Sequence, residues 1–162
     1  MGAKQTIPAD GQNLNRMFPG DPAGTFSSRF AKILEKVLYP EADFLMDLHG
    51  GDINEALTPL IFFPAAVPDT LAAKTSAAAA ALSVPYRVAS TSKNGLYSWA
   101  AQCGIPSLLV ERGERGLWSE NEITACKRNV FELMDHLKIK TFFQIQPFTR
   151  KRSVSQFMKK HL

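Results

Sequence analysis

Cysteine is scarce in this chain of 162 residues. Cys103 and Cys126 are the only two, too few for a disulfide framework and without metal-type pairing. No apolar run approaches the roughly 20 residues that cross a bilayer. The opening MGAKQTIPADGQ has no apolar stretch of the secretory kind. These absences lead to the expectation of a cytoplasmic protein with no membrane partner. Internal repeats and low-complexity linkers are missing as well. The 45% hydrophobic and 21% charged residues belong to a folding chain rather than a disordered one, and the length suits one domain.

Acidic residues are missing from one stretch only. Residues 138–162 hold seven Lys/Arg and no Asp or Glu, so the other 137 residues hold twelve Lys/Arg against fifteen Asp/Glu. The formal charge of +4 therefore belongs to a basic C-terminal tail, and the body, 1–137, is mildly acidic. Nucleic-acid binding would have to reside in that tail, where phosphate attraction is non-specific. A solvated end is the preferred reading, and nucleic acid is not an expected partner.

Hydrophobic periodicity alternates between helix and strand. Asp21-Pro22 reads as a helix start, followed by Phe26, Phe30, Ile33, Leu34, Val37 and Leu38 at helical spacing up to Pro40. The compact run 43–48 ends at His49-Gly50-Gly51 and reads as a buried strand entering a loop. A second strand is expected at 59–63 and an alanine-rich helix over 68–82, with five consecutive alanines (77–81) suited to close packing. A short strand (86–90), a short helix (95–102) and a core strand (106–110) ending at Glu111 follow, with Arg112-Gly113 turning the chain. Ser119 and Glu122 form a capping box ahead of an apolar stripe through Ile123, Cys126, Val130, Leu133, Met134 and Leu137. Strands alternating with helices predict an α/β domain, three layers (α/β/α) around a mixed, largely parallel sheet. Its first strong strand comes only near residue 43, so the sequence reads as the later part of a larger α/β domain.

Three clusters can carry chemistry. Asp47 and His49 lie two apart on a strand and so share a face at its C-terminal end, where ligand sites form in open parallel sheets. His49 there reads either as a metal ligand or as a histidine held by local hydrogen bonds. Glu111 ends a buried run in the same layer, where burial would raise its pKa towards general-base work; the alternative is a surface carboxylate. In Asn13-Leu14-Asn15-Arg16-Met17-Phe18-Pro19-Gly20, a rigidly held Arg16 would recognise carboxylate or phosphate, or else would pair with Asp10 or Asp21.

The order NLNRMFPG, then DLHGGD, then LLVERG resembles the succinylglutamate desuccinylase/aspartoacylase family of the zinc-carboxypeptidase-like superfamily, over about residues 5–137. The resemblance implies an α/β/α sandwich, one catalytic zinc, and hydrolysis of amide bonds in N-acylated amino acids bearing a carboxylate. It assigns His49 as a zinc ligand, Glu111 as general base, Asn15 and Arg16 as holders of a substrate carboxylate, and Tyr97 as a substrate-lining hydroxyl.

The family's first two zinc ligands come from an HxxE motif upstream of NRxFPG, and no histidine or glutamate precedes Asn13 here. His136 and His161 match no family ligand position, and with Glu55 or Asp52 they would form a substitute donor set. The resemblance thus implies a partial catalytic domain over 1–137, without the HxxE segment or the family's C-terminal β-rich extension. A catalytically inactive remnant or binding module of the same fold is the alternative. Strand edges left unpaired would favour self-association or a complementing chain.

Overall fold

The computed structural model describes residues 5–139. Four strands, β1 (Leu45–His49), β2 (Ala56–Pro64), β3 (Tyr86–Ser90) and β4 (Ser107–Glu114), form one sheet in the order β1-β4-β2-β3. β1 pairs parallel with β4 and β2 with β3, while β2 and β4 run antiparallel. The sheet is therefore mixed, with two of its three pairings parallel. Helices α1 (Phe26–Leu38), α2 (Asp69–Ala81), α3 (Leu96–Gln102) and α4 (Glu120–His136) complete the α/β fold. The basic tail from residue 140 onward, with His161, lies outside the described residues.

Alternation along the strands creates a core on each face. On one face Ile61, Leu108 and Val110 pack with Ala78, Ala79 and Leu82 of the α2 region and Leu133 of α4. On the other, Leu45 and Leu109 pack with Tyr39, Tyr97 and Ala100, and Phe62 adds to them. The sheet is thus the middle of three layers. The alanines of α2 behave as their size predicts: Ala78 and Ala79 are fully buried, letting that helix lie close to the strands.

Two sequence expectations need correction, and the orientation of one helix needs a reason. The first helix begins at Phe26, capped by the Thr25 side chain, not at Asp21-Pro22. The Asp21 carboxylate instead accepts from Ala23 N (2.9 Å), and its carbonyl from Gly24 N (3.1 Å), so the Asp-Pro-Ala-Gly segment is closed as a turn. The apolar stripe of α1 is not core: Phe26, Phe30, Ile33, Val37 and Leu38 are exposed, and Ser27 and Ala31 are the buried residues. The reason is a loop that touches the helix backbone. A Cβ on Gly20 would stand 2.1 Å from Lys32 N and 2.3 Å from Ser28 O, so only glycine fits there, and only a small-residue face of α1 can turn inward. Finally, β4 does not end at Glu111. It continues antiparallel to the start of β2 through Glu114, and the turn comes at Arg115 and Gly116, both at positive φ. Pro59, which has no N–H to donate, falls at an irregularity between Leu57 and Leu60 that interrupts this pairing.

The last helix starts as read, with Ser119 Oγ accepting from Glu122 N. A polar network keys it to the sheet: Arg112 Nη1 donates to Asn129 Oδ1 (3.2 Å), Asn129 Nδ2 to Glu132 Oε2 (3.0 Å), and Ser83 N to the same carboxylate oxygen (2.8 Å). Asn129 is fully buried, so these bonds satisfy an amide that would otherwise be costly to desolvate.

Ile61 is fully enclosed between the sheet and the α2 layer. Ile61→Ala should lower unfolding free energy by about 2–5 kcal/mol, measured by urea denaturation. A loss below about 1 kcal/mol would contradict this placement of the core.

Candidate functional site

In-register pairing places His49 of β1 directly opposite Glu111 of β4. Residues at matched positions on parallel strands point to the same face, so the imidazole and carboxylate are neighbours where β1 ends and β4 runs on. His49 Nδ1 lies 3.6 Å from Glu111 Oε1, and its Nε2 lies 3.3 Å from Asp47 Oδ1. Asp47 is almost wholly buried, and its Oδ2 has no hydrogen-bond partner among the described residues.

The loop before α1 supplies the next layer. Asn13 caps a single 3₁₀ turn (Leu14–Arg16), its Oδ1 accepting from Asn15 N. Asn15 then joins three parts of the fold. Its Oδ1 accepts from Leu96 N at the start of α3 (2.7 Å), and its Nδ2 lies 3.4 Å from His49 Nε2. Gly95 makes this approach possible, since a Cβ there would stand 2.9 Å from Asn15 Oδ1. Asn15 is thereby a clamp between loop, helix and His49, with its acceptor already committed to backbone. Arg16 Nη1 donates to the Asn15 carbonyl (3.0 Å). Neither Asp10 nor Asp21 pairs with it: Asp10 accepts from Ser27 N and Oγ, both at 2.7 Å, and Asp21 closes its own turn.

One cavity of about 680 Å³ is lined by all five residues singled out in the sequence: Asn15, Arg16, His49, Tyr97 and Glu111. Asp47 and Glu55 share the wall. His136 falls in α4 and is not part of that lining. In the sequence Glu55 offers only a substitute donor, because nothing in a loop glutamate's spacing reveals where it points. Here a turn aims it: Glu55 N donates to Asp52 O (2.8 Å), and Asp52 N donates back to Glu55 Oε2 (3.0 Å).

Two carboxylates of the cavity act on His49. The Asp47 and then the Glu111 carboxylates stabilise the imidazolium, outweighing burial, and push its pKa up to about 9. Burial pushes the Tyr97 phenol above its ordinary value; the Ser90 side chain opposes that shift, and the Asp47 and Glu111 charges reinforce it. At neutral pH Tyr97 is a hydrogen-bonding hydroxyl, not a base.

A zinc centre needs three protein donors. Among the described residues no group of three His, Cys, Asp or Glu side chains is arranged to hold a metal ion. The residues present do not by themselves fit a complete site, although His49 offers one imidazole donor. No helix among the described residues is long and apolar enough to cross a membrane.

The succinylglutamate desuccinylase/aspartoacylase catalytic domain matches residues 1–137. Over 48 residues, 30% of this chain and 14% of the relative, the sequence is 48% identical to an N-alpha-acetyl-L-2,4-diaminobutyric acid deacetylase of Halomonas elongata. The product-bound structure of the ectoine utilization protein EutE (DoeB) from Ruegeria pomeroyi superposes with a TM-score of 0.76 at 27% identity, covering 88% of this chain and 45% of that one. A metallo-carboxypeptidase from Burkholderia cenocepacia shares the fold at 16% identity, with a TM-score of 0.61 over 82% of this chain and 40% of its own. The chain thus spans less than half the length of these proteins.

The raised His49 pKa sets a sign for stability. Between about 6.5 and 9 the folded chain holds a proton that the unfolded chain has released, so stability falls as pH rises. The imidazolium contribution is whole below about 6.5 and gone above about 9. Urea denaturation from pH 6 to 10, with a chelator present, should show this decline in the native chain and a flatter profile in His49→Gln. Matching profiles would contradict the His49–Asp47–Glu111 cluster.

Proposed function

This chain belongs to the succinylglutamate desuccinylase/aspartoacylase catalytic-domain family, and from that premise we propose that it forms part of a zinc-dependent deacylase, hydrolysing the amide bond of N-acyl amino acids to a carboxylate and an amine. The observation that carries the reading is the convergence of Arg16, His49 and Glu111 on one cavity beside the C-terminal end of β1. The curated relative in Halomonas elongata, a deacetylase of an N-acetylated amino acid by name, points to the same substrate class.

Each group has a role in this reading. Arg16 takes the substrate's α-carboxylate through paired N–H donors, fixing which end of the molecule enters first. Glu111 Oε1 accepts a proton from the attacking water and returns it to the leaving nitrogen. The Tyr97 hydroxyl donates to a substrate oxygen. Asn15 serves by holding the loop and His49 in place; the substrate-holding role implied by resemblance is left to Arg16. His49 supplies one zinc donor. The remaining donors come from polypeptide beyond the described residues, so the chain is incomplete on its own, and an edge strand of the sheet is where a complementing segment would pair. The expected setting is the cytoplasm.

A second reading, a non-catalytic binding module of the same fold, is favoured by the lack of a three-donor group among the described residues. It would retain the Arg16 subsite and lose the chemistry.

Elemental analysis of the purified chain after zinc loading and desalting should find far less than one zinc per molecule. Stoichiometric zinc that disappears in His49→Ala would overturn the incompleteness. When the chain is supplemented with a polypeptide carrying the remaining donors, amide hydrolysis should appear, and Glu111→Gln should lower it at least about 100-fold with zinc retained. Hydrolysis unaffected by that change would remove Glu111 from the mechanism, and no hydrolysis with zinc bound would establish the binding module.

A further inference from the structure

The sheet has two edges, β1 and β3, and the path of the chain calls for a neighbour beyond β1. β2 and β3 are parallel neighbours joined through α2, which packs on the face of Ile61, Leu108 and Val110. α1 leads into β1 on the opposite face, where Tyr39, directly after the helix, packs with Leu45 and Leu109. β1 also runs opposite to β2, being parallel to β4 where β2 is antiparallel. Crossovers between parallel strands are right-handed. Reversing the face and the strand direction together leaves the sense of the step along the sheet unchanged. The step through α1 therefore runs the same way as β2 to β3, and it enters β1 from a strand lying outside it. No such strand is present among the described residues.

The position is open in both backbone and side chains. Leu45 N donates to Pro106 O (2.9 Å), so residues 45, 47 and 49 turn their backbone groups to β4, and Met46 and Leu48 turn theirs outward. The Leu48 side chain is 46% exposed. α1 rests chiefly on the single turns at 14–16 and 39–41. Phe26, Phe30, Ile33 and Val37, spaced to share one side of it, are exposed. Arg29 and Lys36 border this stripe and take no part in the ion pairs of the described residues. We propose that the outer edge of β1 and the stripe of α1 form one docking surface for an added β-strand, parallel to β1, apolar towards α1 and acidic towards Arg29 and Lys36. The strand comes from a separate polypeptide. EutE (DoeB) superposes over 88% of this chain but only 45% of its own, so a whole relative has further polypeptide to place. A second copy of this chain fits less well, since two-fold pairing of β1 with itself is antiparallel and brings two basic helices onto one face. The surface gives the complementation described above its edge, strand direction and partner chemistry, and only the source of the strand rests on that reading.

The probe is the part of the Ruegeria pomeroyi EutE (DoeB) chain outside the superposition, co-expressed with the intact chain. Sedimentation equilibrium should give a complex with one copy of this chain. Amide hydrogen exchange read by NMR should slow at least about tenfold at Met46 and Leu48 on complex formation. It should stay unchanged at Arg87 and Ala89, which face outward on β3 because Ser90 O turns inward to accept from Ala65 N. Phe30 and Ile33 are exposed already, so Phe30→Glu with Ile33→Glu leaves the fold intact and should weaken the complex about tenfold or more. Ala89→Pro, which removes an outward N–H from the other edge, should leave it unchanged.

Protection at Arg87 and Ala89 in place of Met46 and Leu48, a complex indifferent to the paired glutamates, or a dimer of this chain that excludes the probe overturns the inference. Amide hydrolysis by the complex in any of those cases leaves the deacylase reading standing. Protection at Met46 and Leu48 without hydrolysis, zinc being bound, upholds the inference and removes the deacylase reading. Failure to form any complex overturns the inference and the complementation together.

Discussion

The site depends on the register of two parallel strands. β1 and β4 align so that Asp47, His49 and Glu111 come to the same face, and a slip of β1 by one residue would send Asp47 and His49 to the face opposite Glu111. Register is held by burial on both sides: Leu108 and Val110 are locked into one core, Leu45 and Leu109 into the other. The polar end of the strands is therefore positioned by their apolar beginnings. That arrangement lets a carboxylate as buried as Asp47 be tolerated, because the imidazole next to it compensates part of the desolvation.

Much of this was legible in the residues. The strand containing Asp47 and His49 announces itself by a short apolar run and two glycines, and period-two spacing is enough to put both side chains on one face. β3, the alanine-rich helix and the capped last helix also follow from local chemistry, since caps and small residues act over a few positions. The convergence of Arg16 and Glu111 was legible only through the order of the motifs. Between them lie 94 intervening positions, and no local rule closes that distance.

Other features were not legible, for reasons that are physical. Amphipathic spacing in α1 identifies a helix but not the side that meets the fold. Here the loop reaching Gly20 occupies the helix backbone, and the bulky stripe is turned outward. Arg112-Gly113 reads as a turn by composition, yet antiparallel partners on β2 carry the strand through it. Glu55 gains its orientation from a backbone turn with Asp52 and from Gln5, contacts that leave no trace in periodicity. Asn15 lines the cavity, and the bond its acceptor takes from the first amide of α3 is a contact that no spacing announces.

Neighbouring residues of β4 serve opposite sides of the sheet. Glu111 opens onto the cavity, while Arg112 reaches the other way into the buried clasp with Asn129 and Glu132 on α4. The final helix, remote from the hollow, thus works as a lever on the backbone that presents the carboxylate. Loosening the clasp would retune the reach and angle of Glu111 without replacing any residue of the cavity wall.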